Sequence, residues 1–273
     1  MIKKIIHCSD IHIRKQTRHE EYKIQIEKFL NECKTIVDEN KDETIILVDG
    51  DIFDNHLSIG NEQLVLTSWF LKSLDELAPT VIVCGNHDLV TSNLQRMDSI
   101  TPLFEMIDFK QTIYLDKELN YKSGTYIMDN IVFCLYSIFD SYNKPFFEDL
   151  KVSHSDKTFI GLIHAPIVGS ETSTGFSMEK GLSSDSFQGL DFVLLGDIHK
   201  QQDMNVKGVE LIYSGSLIQQ SFGETVTQHG FCLMDIETKE YEFIDIPSDY
   251  GFYKFKITSK KDIEEGTEKL LNL

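Results

Sequence analysis

Three features of the 273-residue sequence predict an α/β fold, two packed mixed β-sheets flanked by helices. Short apolar runs alternate with stretches of helical periodicity in the first part of the chain. The later part turns to closely spaced strand-like segments. Several of the apolar runs end in Asp, His or Asn, which collects polar groups at the carboxyl ends of strands, where open α/β sheets bind their ligands.

The elements follow in order. "KKIIHCSD" reads as a short buried strand, and His7, lying inside it, reads as a core residue. Tyr22, Ile26, Phe29, Cys33, Ile36 and Val37 recur at helical spacing and predict an amphipathic helix over 20–39. "TIILVDGD" is a second buried strand, and residues 60–77 a second helix that stops before Pro79. "PTVIVCGNHD" is a third strand, followed by a predicted helix over 92–106. This order argues for βαβ units with right-handed crossovers. "IVFCLYSI", "TFIGLIHAPI", "DFVLLGDIH", "VELIYSGSL", "GFCLMDI" and "YEFIDI" then read as short strands. A polar Gly/Ser/Thr-rich loop, "VGSETSTGFSMEKGLSSDS", separates two of them and is of the kind that borders sites. Residues 1–246 form one domain in this reading. Residues 247–273 start a strand and then a helix, too short to bury a core, and read as the beginning of a second, incomplete unit.

Composition narrows the function. Twenty-six Lys and Arg against 44 Asp and Glu give a formal net charge of −18. That is the wrong sign for holding nucleic acid by bulk electrostatics, so such contacts need local basic patches, metal ions or a partner. No run approaches the roughly 20 apolar residues of a membrane span. "MIKKIIHCSDIH" turns polar too soon for a signal peptide, and the five cysteines show no CxxC spacing. These features predict reduced thiols, a cytoplasmic location and no membrane partner.

The chemistry sits at the strand ends. "IIHCSDIH" delivers Asp10 and His12, "ILVDGDIFD" delivers Asp51 and Asp54, and "VIVCGNHD" delivers Asn86, His87 and Asp88. "FIGLIHAP" adds His164, and "FVLLGDIH" adds Asp197 and His199. A lone Asp-x-His or Asn-His-Asp is an ordinary polar turn after a strand. Five apolar strands ending this way in one chain point to one shared rim. Carboxylate, imidazole and amide oxygen without thiolate suit Mn²⁺, Fe²⁺, Zn²⁺ or Mg²⁺. The glycines before Asp51, Asn86 and Asp197 let the backbone turn sharply and approach the site.

Taken together, DxH, GDxxD, GNHD, a later single His and a final G-x-x-H resemble the calcineurin-like metallophosphoesterase superfamily. "IIHCSDIH", "GDIFD", "GNHD" and "YSGSLIQQSFGE" further resemble the SbcD-type nucleases of double-strand-break repair, phage recombination endonuclease subunits included. The resemblance covers roughly residues 1–250 and implies a four-layer metallophosphoesterase fold. It also implies a centre of two divalent ions, Mn²⁺ foremost and Mg²⁺ next. Asp10, His12 and His199 would hold one ion, and Asn86, His164 and Asp197 the other, with Asp51 bridging. His87 would protonate or steady the leaving oxygen of the scissile phosphodiester, with Asp54 and Asp88 orienting ligands and His87. The implied partners are DNA, an SbcC-type ATPase subunit and a second copy of the chain. The implied location is the cytoplasm, that of the host for a phage protein. An alternative within the same fold is a phosphatase or nucleotide phosphodiesterase acting on small substrates.

Asp197 departs from the family pattern, which has His-x-His at this motif. A third carboxylate makes a two-ion centre less positive and favours harder metals. Three softer readings remain. "RKQTRH" is a basic cluster for DNA phosphates or a solvated loop. Leu64, Trp69, Phe70, Leu71 and Leu74 face either the sheet or a partner. Ser214 and Ser216 either approach substrate or belong to a plain turn.

Overall fold

The computed structural model describes residues 1–15, 17–254 and 256–271. It holds two six-stranded mixed sheets with helices outside, as the sequence predicts. The first half lays down β1 (Lys4–Cys8), α1 (His19–Glu39), β2 (Thr44–Asp49), α2 (Asn61–Leu77), β3 (Thr80–Val83), α3 (Thr101–Met106) and β4 (Thr112–Tyr114). After α4 (Leu115–Glu118) come β5 (Gly124–Met128), β6 (Ile131–Leu135), α5 (Glu148–Ser153), β7 (Thr158–His164) and β8 (Phe192–Gly196). The chain closes with β9 (Gln202–Val206), β10 (Val209–Tyr213), β11 (Gly230–Asp235), β12 (Tyr241–Asp245) and α6 (Lys260–Leu271).

One sheet runs β12-β11-β1-β2-β3-β4 and the other β5-β6-β7-β8-β10-β9. Strands β1 to β4 are parallel, as are β6, β7, β8 and β10. The parallel strands therefore aim their carboxyl ends at one edge of the stack. Between the sheets lie Ile5, Leu47, Val81, Phe133, Leu162 and Leu194, all buried. The outer face of the first sheet packs Phe29 of α1 and Phe70, Leu71 and Leu74 of α2, so these α2 residues serve the core. Leu64 and Trp69 are partly buried against the same core.

Two expectations need correction. Residues 92–100 are turns, and only Thr101–Met106 is helical. The Asp98 carboxylate accepts the N–H groups of Ile100 and Thr101, and the Asp88 carbonyl accepts that of Ser99. These bonds fix a capped turn where apolar spacing alone read as helix. Nor does the stretch after Ile246 form a strand among the described residues. It runs irregularly into α6, and Phe255 and the last two residues lie outside the described residues.

Candidate metal centre

The left-handed backbone conformation clusters at the rim. Asp10, His12, Asp51 and Asp197 have φ of 53°, 48°, 52° and 86°. Such conformations are costly outside glycine and persist where the surroundings over-determine them. Here β1 and β2 lock together past their ends: Asp10 N–H donates to the Gly50 carbonyl at 3.2 Å and His12 N–H to that of Asp51 at 2.9 Å. Gly50, at φ 77°, and Gly196 flank the His164 ring. A Cβ at Gly50 would stand 2.3 Å from His164 Nδ1, and one at Gly196 2.4 Å from it. Only glycine lets both strand ends close on that imidazole.

Three overlapping groups of donor atoms result: Asp10, His12 and His199; Asp10, Asp51 and His164; and His12, Asp51 and His87. Asp51 Oδ2 lies 3.2 Å from His164 Nε2 and 3.5 Å from His12 Nε2. Asp10 Oδ1 lies 3.7, 3.8 and 3.9 Å from the Nε2 atoms of His12, His199 and His164. The Nε2 atoms of His12 and His199 face each other at 3.0 Å. Two lone pairs cannot meet at that distance without a proton or a cation to share.

Two buried acceptors point the same way. His164 Nδ1 donates to the Asp49 carbonyl at 2.7 Å, which leaves its Nε2 as a lone pair. That Nε2 and Asn86 Oδ1 have no hydrogen-bond partner although both are buried. An orphaned acceptor in such a place is costly, and a divalent cation satisfies both. The donor set therefore fits two divalent ions with oxygen and imidazole ligands.

A sequence profile of the calcineurin-like phosphoesterases matches residues 3–201, which span this rim. The chain belongs to the calcineurin-like phosphoesterase family. An uncharacterised protein of Acanthamoeba polyphaga mimivirus is 37% identical over 272 residues, covering 96% of this chain and 19% of its own. The chain thus spans about a fifth of the length of that viral relative. The SbcD component of the SbcCD nuclease of Staphylococcus saprophyticus is 24% identical over 87% of this phosphoesterase chain and 66% of its own. A solved archaeal phosphodiesterase superposes with a TM-score of 0.43 at 15% identity, over 89% of this chain and 99% of that one.

The remaining candidate residues of this phosphoesterase fall in three places. His87 is exposed. Its ring stands edge-on to that of His12, centroids 4.7 Å apart, its N–H donates to Asp51 Oδ1 at 2.7 Å, and its Nδ1 bonds the Asp54 carbonyl at 2.8 Å. Asp54 thus reaches His87 through its backbone, while its carboxylate lies 3.8 Å from Arg14 Nε. Asp88 is buried and accepts the N–H groups of Phe53 and Gly85 at 2.9 and 3.0 Å, which braces the two loops beneath His87. Asp197 N–H donates to both Asp10 oxygens at 3.2 Å. Its carboxylate stands outside the three donor groups, and the residue lines a cavity of about 210 Å³ with Thr172, Ser173, Thr174, Ser221 and Glu224.

Sequence reasoning missed Glu224, whose Oε1 lies 3.0 Å from His199 Nδ1. A carboxylate behind a metal-facing imidazole fixes its tautomer and raises its basicity. The signal was present in "SFGE", but nothing local ties it to a histidine 25 residues away. Glu224→Gln is expected to weaken metal binding by about 10–100-fold with the fold intact, measured by calorimetric titration; unchanged affinity would contradict the contact's role. Ser214 bonds Ser9 at 2.9 Å, Ser9 bonds Asp10 at 2.5 Å, and Ser216 bonds His229 at 3.1 Å. Both serines thus anchor the rim loop. Of the "RKQTRH" cluster, Arg14 and Arg18 donate to the carbonyls of Gln220 and Gln219, and Gln16 lies outside the described residues.

The charges are mutually tuned. Burial opposes ionisation of Asp10, yet His12, His164 and His199 hold its carboxyl well below the usual range. Burial likewise opposes the His164 cation, but Asp51, Asp10 and Asp197 outweigh it and raise it well above an ordinary imidazole. His199 behaves alike: Glu224 and Asp10 overcome burial and push it up to about 9. Both histidines must shed that proton to ligate a cation, so protons compete with metal below those values. Metal affinity should therefore climb as pH rises from neutrality toward about 9. Calorimetry at pH 7 in buffers of different ionisation enthalpy should detect proton release; binding without it would refute the competition. Beneath the rim, His7 Nε2 lies 3.9 Å from Asp49 Oδ2. Burial pushes His7 down to about 3 and Asp49 up to about 8, so both are neutral at pH 7.

Proposed function

We propose that this chain is a metal-dependent DNA nuclease, the catalytic part of an SbcD-type protein that hydrolyses phosphodiester bonds with two divalent ions, Mn²⁺ or Mg²⁺. The observation that carries the reading is the meeting of Asp10, His12, Asp51, His164 and His199 in overlapping donor groups, with the His164 Nε2 and Asn86 Oδ1 acceptors left without partners and exposed His87 in one of the groups. The staphylococcal relative, a nuclease component by name, supports a nucleic acid as the substrate.

When bound, two divalent ions would supply the charge that clamps a phosphate and acidifies water. In this reading Asp10, His12 and His199 would hold one ion, Asn86 and His164 the other, and Asp51 would serve both. Asp197, which lines the cavity beside His199, would complete the second ion's ligands. His87 is the proton donor to the leaving oxygen. Its Nδ1 is committed to the Asp54 carbonyl, which leaves Nε2 as the exchanging position. Asp88 braces the loops beneath it and keeps its backbone on Asp51. Residues 1–246 are the catalytic domain and 247–273 open a capping unit. An SbcC-type ATPase is the partner, and the part-exposed Leu64 and Trp69 of α2 lie on the face for a second copy.

The second reading, a nucleotide phosphodiesterase or phosphatase, is favoured by the net charge of −18. Incubating the chain with Mn²⁺ and linear DNA, a nucleoside cyclic phosphate or nitrophenyl phosphate separates the two. Cleavage of DNA at rates above those of the small esters is expected. Turnover confined to the small esters would replace the nuclease reading by the second.

A further inference from the structure

The rim also carries an aromatic pair that hydrolysis does not use. Phe222 lies two residues before Glu224, the holder of His199, and its neighbours Ser221 and Gly223 line the cavity with Asp197 and His199. Phe222 is 52% exposed. Phe252 packs behind it with centroids 4.9 Å apart, and the Lys254 ammonium stands 5.8 Å from the Phe222 centroid. Arg18 covers Phe252 at 4.6 Å.

The frame that holds the pair is built. Gln219, only 2% exposed, accepts the Phe252 N–H at 2.6 Å through its Oε1. Its Nε2 donates to the Phe252 carbonyl at 3.2 Å and to the Glu224 carbonyl at 3.0 Å. One buried amide thus joins the segment bearing Phe252 to the loop bearing Phe222 and Glu224, and through Glu224 to His199. The aromatic pair is fixed relative to the catalytic rim.

What sets Phe222 apart from other exposed aromatics is its place on the loop of Glu224 and its bracing by Phe252 and the Gln219 amide. A half-open aromatic ring with an ammonium 5.8 Å from its centroid, beside a phosphate-cleaving centre, matches a nucleotide: the long lysine side chain swings to the phosphates and the base takes its place on the ring. The charge agrees. In a chain of net charge −18, residues 250–261 contain four lysines and no Asp or Glu.

We propose that Phe222, backed by Phe252 and flanked by Lys254, is the stacking platform for an unpaired nucleobase adjoining the phosphate to be cleaved. The inference rests on the nuclease reading and deepens it. Bases inside a duplex have both faces covered by their neighbours, so the platform selects single-stranded or frayed DNA.

The test compares two single strands of equal length with Mn²⁺ present: an oligothymidylate and the same backbone carrying abasic residues throughout. The wild type is expected to cut the oligothymidylate about tenfold faster. Phe222→Ala should bring that ratio to about one, and Phe222→Tyr should keep it. A wild-type ratio near one overturns the platform, as does a Phe222→Ala ratio equal to that of the wild type. Those results leave the nuclease reading standing. If the wild type cuts neither strand but cuts linear duplex DNA, the platform falls and the nuclease reading stands; if it cuts no DNA at all, both fall.

Discussion

Replacing Asp51 with asparagine is expected to lower phosphodiester hydrolysis by at least about a thousandfold and to halve the metal content. Asp51 belongs to two of the three donor groups and stands between His12 and His164. An amide keeps the shape and its acceptance of the His87 N–H, but removes the charge that both ions would share. Metal content by elemental analysis and hydrolysis of bis-nitrophenyl phosphate check it together. A variant with two bound ions and wild-type turnover would remove Asp51 from the bridging position.

His87→Asn should behave differently. Metal content is expected to stay at the wild-type level while turnover on DNA drops about 10²–10⁴-fold, the usual worth of a positioned proton donor. His87 is the exposed member of its donor group, and its Nδ1 is already spent on the Asp54 carbonyl. A smaller deficit is expected on a nitrophenyl ester, whose leaving group needs no proton. Equal losses on both substrates, or loss of metal, would recast His87 as a ligand.

Much of the rim was legible because the chain repeats one device: a buried apolar strand whose next residues are metal donors. The periodicity of each strand and the identity of its terminal residues are local facts, so Asp10, His12, Asp51, Asn86, His164, Asp197 and His199 could be placed on one edge from the sequence. Which oxygens and nitrogens meet is not local. Glu224 reaches His199 across a loop, and Asp54 acts on His87 through its carbonyl, which no side-chain pattern encodes. The edge strand β9 was missed for a related reason. "QDMNV" alternates exposed and half-buried positions and becomes a strand only by pairing antiparallel with β10. The misread helix over 92–100 shows the converse, since Asp98 and the Asp88 carbonyl capture N–H groups that helical spacing would have assigned within the helix.

The split of the rim between two sheets has a consequence for biosynthesis. Asp10, Asp51 and His87 follow strands of the first sheet, while His164 ends a strand of the second and Asp197 and His199 follow another. Even the first sheet is finished late, because β1 takes its neighbour β11 from Gly230–Asp235. A chain that has emerged only as far as β6 therefore carries Asp10, His12, Asp51 and Asn86 but none of His164, Asp197 and His199. A phosphoesterase assembled in this way gains its full donor set only once strands of both sheets have formed.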